Sequence, residues 1–193
     1  MSSVDDYLRS FGMSGFIITD DLQKIERRFG INLGHAGIQA PDTSAYYPQF
    51  DQAIRKQASE MAAHYELFYC LEQSIRQLIT TVLFEKSNTG WWSETVPEKI
   101  VQDVEGRRQR EKDSGFSQRS EKEIDYTNFG ELSIIITSNW DVFGAIFSSK
   151  RAVERIMNSL NLLRGPIAHC SPLADDEVDR LLLTVKDWFR SMG

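Results

Sequence analysis

From about residue 47 to residue 86 the chain repeats apolar side chains at intervals of three and four, among them Phe50, Ile54, Met61, Tyr65, Phe68, Leu71, Ile75, Leu78, Ile79 and Val82. That period lays one apolar stripe along a helix, or along two helices in series. At about 1.5 Å rise per residue, residues 59–86 alone make a rod about 40 Å long. So long a helix buries its stripe against other helices, which predicts an all-α, up-and-down helical bundle.

The remaining segments are read around that rod. Residues 1–44 form a short N-terminal helical appendage and linker. Leu22, Ile25 and Phe29 share a helical face, Thr19 or Asp20 caps it and Gly30 stops it, while Phe16 to Ile18 are a short strand or core. Residues 34–44, with two glycines and Pro41, are the linker, and residues 45–193 are the bundle. Asn88-Thr89-Gly90 ends the long helix. Trp91-Trp92 packs a loop against the core, although paired tryptophans can also stack on bases. Residues 105–125 mix both charges and read as a solvated helix end plus a loop; Arg107, Arg108 and Arg110 there are candidate phosphate contacts. Residues 133–137 have strand propensity, yet their surroundings predict a helix capped by Thr127 or Asn128. Residues 139–147 form a turn and a short apolar segment. An amphipathic helix over residues 148–163 carries Val153, Ile156, Met157, Leu160 and Leu163. Ser171-Pro172 starts a last helix whose buried face is Val178, Leu181, Leu182, Val185, Trp188, Phe189 and Met192.

The bulk numbers narrow the class. The 193 residues suffice for one domain with a sizeable core. The longest apolar runs are far too short for a bilayer, and the first residues lack a signal peptide's basic start and apolar run. Cys70 and Cys170 form no disulfide framework, no Cys/His spacing matches a zinc site, and a cytoplasmic, reducing compartment is expected. The three histidines, His35, His64 and His169, are scattered with no paired carboxylate motif near them, so a metal-dependent enzyme is set aside and no cofactor is expected. His64 reads as a surface or half-buried residue. A net charge of −6 argues against a general nucleic-acid coat protein, but not against an enzyme with one local basic site.

The most informative pair is Arg164 and His169. Five positions on a regular helix amount to about 500°, so these side chains would diverge by about 140°. Pro166 removes a backbone hydrogen bond and Gly165 adds freedom, which predicts a bend or an end that turns both residues towards one site. Arginine offers a permanent cation whose fork fits phosphate, and histidine moves protons near neutral pH. Together they suit metal-free RNA cleavage, with His169 as acid or base and Arg164 stabilising charge at phosphorus. The plainer reading is an Arg and a His satisfying the last carbonyls of a helix.

The segment Leu162-Leu163-Arg164-Gly165-Pro166-Ile167-Ala168-His169 resembles the signature of the HEPN superfamily, the higher eukaryotes and prokaryotes nucleotide-binding domains. Tyr65-Glu66-Leu67-Phe68 and Ile75-Arg76-Gln77-Leu78-Ile79 are similar to that family's first core helix. Trp91-Trp92 and Pro97 resemble a subgroup found at the C-terminus of a eukaryotic transcription-surveillance endoribonuclease and in bacterial relatives. The resemblance covers roughly residues 45–190. It implies an all-α bundle and a metal-independent endoribonuclease, as in toxin–antitoxin and antiviral defence systems. It also implies a homodimer in which two motifs face each other, with an antitoxin or regulatory protein as a further partner. It assigns Arg164 and His169 as catalytic and admits Glu66 as an additional polar site member. Arg107, Arg108, Arg110, Lys150, Arg151 and Arg155 are the candidates for gathering positive charge around RNA at the dimer cleft. Gly165 stands where the family carries a polar residue. The same resemblance covers catalytically inactive modules that bind a protein or nucleotide.

Overall fold

The computed structural model describes residues 49–193, together with residues 18, 19, 21, 22, 24–26, 28 and 29. The chain separates into two units, Met1–Gln52 and Ala53–Gly193. In the first unit every described residue from Ile18 to Phe29 is helical, so the helix expected there already includes Thr19 rather than being capped by it. Ile25 and Phe29 are exposed, and the expected linker at residues 34–44 lies outside the described residues.

The second unit is all helix apart from its connections. Its rod is α1 (Gln52–Ser87), 36 residues, one continuous helix as the period of three and four requires. The stripe is buried only in its second part, at Phe68, Leu71, Ile75, Ile79 and Leu83, while Ile54, Tyr65 and Tyr69 stay exposed. A 3-10 turn at Asn88–Gly90 leads into α2 (Trp91–Thr95) and then α3 (Glu98–Asp113). Trp91 and Trp92 meet each other edge to face and pack against the core as expected, but from the short helix α2 rather than from a loop.

A second 3-10 turn, Glu123–Tyr126, precedes α4 (Phe129–Ser138). The residues with strand propensity are helical here. Asn128 is the N-cap, and Glu131 accepts from its backbone N–H at 2.7 Å, which starts the helix. Burial then decides: Leu132, Ile135 and Ile136 are fully enclosed and Ile134, on the other side, is exposed. Tertiary packing overrides β propensity. The short α5 (Trp140–Phe143) follows, with Phe143 and Phe147 in the core.

The last two helices form the other wall of the bundle. α6 (Lys150–Ala168) starts where Ser149 Oγ accepts from Ala152 N at 3.4 Å and buries all five expected stripe residues. It packs on α4 and on α7 (Asp175–Ser191). α7 begins three residues beyond Pro172. Ala174 is its N-cap, and Glu177 accepts from the Ala174 N–H at 3.1 Å; alanine has no side-chain acceptor to complete the reciprocal bond. Leu181, Val185 and Trp188 are buried on α7, whereas Leu182 and Phe189 are exposed, because each lies about 100° round the axis from a buried neighbour. Trp188 packs on Phe147 with ring centroids 5.0 Å apart and the planes tilted by 51°. Removing so large an enclosed ring costs about 3–5 kcal/mol. Backbone bonds from Ser148 N to Ser191 O and from Gly193 N to Ile146 O pin the C-terminal residues to this corner.

Candidate functional site

The site is built where α6 ends beside α1. Pro166 does not break α6, which runs two residues further. A proline this near the end forfeits one backbone bond and has little helix beyond it to displace. The stop comes at Cys170, whose φ of 55° puts a non-glycine residue in the left-handed region. His169 N bonds Gly165 O at 3.0 Å, and Ser171 N reaches back to Pro166 O at 2.9 Å. That long-range bond around a left-handed residue is a Schellman closure, and it sets His169 as the C-cap.

Arg164 and His169 therefore do not turn into one pocket of a single protomer. Arg164 is half-buried against α1. His169 is exposed at the helix end, and the cavity that Arg164 lines does not include it. That cavity, about 200 Å³, is walled by Tyr65, Phe68, Tyr69, Glu72 and Gln73 of α1 and by Arg164, Ile167 and Ala168 of α6.

Two residues that the sequence reading did not assign to the site organise it. Arg164 Nε donates to Glu72 Oε2 at 3.2 Å. The other carboxylate oxygen of Glu72 accepts a very short bond from Arg76, one turn along α1. Arg76 is buried, and also donates to Ile124 O at 2.9 Å and Thr127 O at 3.0 Å. A carboxylate fixed on both sides thus holds the inner edge of the Arg164 guanidinium. Among the described residues, none bonds its two terminal nitrogens. Glu66 sits six residues before Glu72, about 120° round α1, exposed and away from this wall.

The basic candidates are dispersed within one protomer. Arg107 makes two bonds to Glu131, at 2.7 and 2.8 Å, and one to Tyr126 O. The Glu131 bond raises its already high pKa, so it stays a cation in every ordinary buffer. Arg108 pairs with Glu123 at 3.1 Å and lies over the Tyr126 ring. Arg110 is exposed, its Nε bonded to Gly106 O of its own helix. Lys150 and Arg151 occupy the first turn of α6, exposed, about 20 Å along the axis from Arg164. Arg155 is exposed one turn further on. His64 is half-buried and lines a separate hollow with Asp175 and Asp179.

Among the described residues no three His, Cys, Asp or Glu side chains are grouped as a metal site, and no helix is long and apolar enough to cross a membrane. No curated protein and no solved structure matches the chain. A family model described as Swt1-like HEPN matches residues 66–193, a span that takes in Glu72, Arg76, Arg164 and His169.

Proposed function

The chain belongs to the Swt1-like HEPN family, whose domains are in general ribonucleases or nucleotide-binding modules, and on that premise we propose that it is a metal-independent endoribonuclease acting as a homodimer. The observation that carries this reading is Arg164 itself. It is held by Glu72 through Nε alone, its two terminal nitrogens bond no described residue, and it lines a cavity of about 200 Å³ whose other walls are largely aromatic and aliphatic. A guanidinium fixed in that way is prepared for two phosphate oxygens.

The chemistry follows from the two side chains. His169 takes the proton of a ribose 2′-hydroxyl, whose oxygen then bonds to phosphorus, and the bond from phosphorus to the 5′-oxygen breaks. The leaving oxygen takes up a proton, from the second His169 or from water. Arg164 neutralises the charge that builds on the non-bridging oxygens. The dimer is part of the reading because Arg164 and His169 diverge within one protomer, so a second copy apposed at this helix end supplies the partner that each motif lacks. In that arrangement Lys150, Arg151, Arg108 and Arg110 act as outlying RNA contacts, Arg107 being engaged by Glu131 and Tyr126 O, and an antitoxin-like or regulatory protein would act by covering the cleft.

The test is incubation of total RNA with the purified protein and with His169→Ala, both in EDTA. Parent-only cleavage leaving 2′,3′-cyclic phosphate ends is the expected result. Equal cleavage by both proteins overturns the assignment of His169. A second reading, a catalytically inactive module that binds a protein or nucleotide, is favoured by one observation: Gly165 occupies the position next to Arg164 where the family carries a polar residue. Cleavage by neither protein, with retained nucleotide or protein binding, would select it.

A further inference from the structure

We propose that Tyr65 and Tyr69 form a stacking platform for an unpaired RNA base beside the phosphate held by Arg164, so that the substrate is single-stranded at the scissile bond. This rests on the reading of Arg164 as the phosphate ligand.

The aromatic residues at this end of α1 divide by role. Phe68 is 4 % exposed and packs on Phe129 with ring centroids 5.1 Å apart, so it belongs to the core. Tyr65 and Tyr69, one turn apart on the same helix, are 60 % and 54 % exposed. Their rings lie 6.1 Å apart and tilted by 32°. Core packing therefore does not explain them, and their hydroxyls let them remain wet while presenting a flat apolar face.

Both rings line the Arg164 cavity. Tyr65 and Ile167 also line the neighbouring hollow of about 370 Å³, which continues over Ile54, Met61 and Pro172 and is mainly apolar. A surface that runs from a guanidinium whose terminal nitrogens bond no described residue onto an aromatic and then an aliphatic wall matches a nucleotide, whose phosphate and base lie side by side. The bulk charge supports the same conclusion. A net charge of −6 works against long-range attraction of RNA, and stacking adds affinity that does not draw on charge and depends little on base identity. A base within an A-form duplex is already stacked on both faces and cannot lie on a tyrosine, so the platform selects loops and single strands.

The experiment measures binding of a short fluorescent oligoribonucleotide, single-stranded or annealed to its complement, to full-length His169→Ala protein, which leaves the RNA intact. Tyr65→Ala and Tyr69→Ala, each added to that background, are expected to weaken single-strand binding about tenfold. Tyr→Phe at either site is expected to retain it, and the duplex to bind more weakly than the single strand throughout. Circular dichroism and light scattering on each variant monitor fold and oligomeric state. Unchanged single-strand affinity in both Ala variants overturns the platform while leaving the ribonuclease reading intact. Affinity that falls only in step with loss of a dimer also overturns it, and assigns the tyrosines to an interface between copies. Absence of RNA binding by the parent itself is the separate outcome that removes the ribonuclease reading.

Discussion

Arg164 Nε donates to Glu72 Oε2 at 3.2 Å, joining α6 to α1 across 92 positions of sequence. The same carboxylate holds Arg76, and Arg76 holds the carbonyls of Ile124 and Thr127. The end of α6 is therefore tied through one glutamate to the corner before α4. The Glu72 and Arg76 side chains are 14 % and 9 % exposed, so that pair is largely withdrawn from water, while Arg164, at 39 %, reaches the solvent.

Breaking it from the glutamate side leaves Arg76 buried without its counter-charge. Glu72→Ala is expected to cost about 3 kcal/mol in urea unfolding. Glu72→Gln keeps an oxygen for Arg164 and is expected to cost less, about 1–2 kcal/mol. It should still lower RNA cleavage more than tenfold, because Arg164 loses the charge that orients it. Unchanged stability in Glu72→Ala would show that the network behaves as an exposed pair.

Arg107 is predicted to matter for stability and not for RNA. Its guanidinium is spent on Glu131 and Tyr126 O, and Glu131 in turn starts α4 through Asn128. Arg107→Ala is expected to destabilise by about 2–3 kcal/mol, with RNA affinity per folded molecule unchanged. Arg110→Ala, at an exposed side chain, is expected to change stability by less than about 0.5 kcal/mol. A drop in RNA affinity for Arg107→Ala at full folding would restore it as a phosphate contact.

The loop after α3 has a specific acid limb. Glu111 accepts from Arg119 N at 3.1 Å and from Arg119 Nε at 2.9 Å, and the backbone N–H bond above all holds its carboxyl below the ordinary 4.5. As pH falls, the unfolded chain takes up this proton first, near pH 4.5, and the folded chain only at lower pH. The contribution is thus complete above about pH 4.5 and lost as pH falls through the folded value. Unfolding curves of the parent and of Glu111→Gln should differ at neutral pH and converge in acid. A constant difference down to the most acid pH would remove Glu111 as the source.

How much of this was legible in the sequence depends on whether the signal was local. The stripe on α6 follows from neighbours three and four residues away, whereas the helical state of α4 was read from its helical surroundings against its own strand propensity. Leu182 and Phe189 were misplaced because apolar identity alone does not separate residues 100° apart on a helix that has more apolar residues than its stripe needs. Arg164 and His169 were readable as a motif, but their divergence was not. It depends on the helix continuing past Pro166 and on Cys170 adopting a left-handed turn, which cysteine seldom does. Glu72 had one local signal, Arg76 four residues on, a spacing that equally marks a solvated ion pair. Its partner Arg164 is too distant in sequence for any spacing rule, as is Glu131 for Arg107, and no local pattern marks Tyr65 as exposed.

Gly165 offers the most direct test of how complete the site is. It lies within α6, and a Cβ built on it meets nothing within 4 Å, so packing does not require a glycine there. Gly165→Ala is expected to stabilise the fold by about 0.5–1 kcal/mol, since glycine in a helix interior carries an entropic cost without a compensating contact here. Gly165→Asn restores the polar group that the family carries beside this arginine, with a smaller gain in stability because asparagine is a weaker helix former. If a polar neighbour orients the catalytic side chains, the Asn variant should cleave RNA several-fold faster than both the parent and the Ala variant, with KM little changed. Equal rates for Asn and Ala would mean that the position acts only through helix stiffness, and that Glu72 alone orients Arg164.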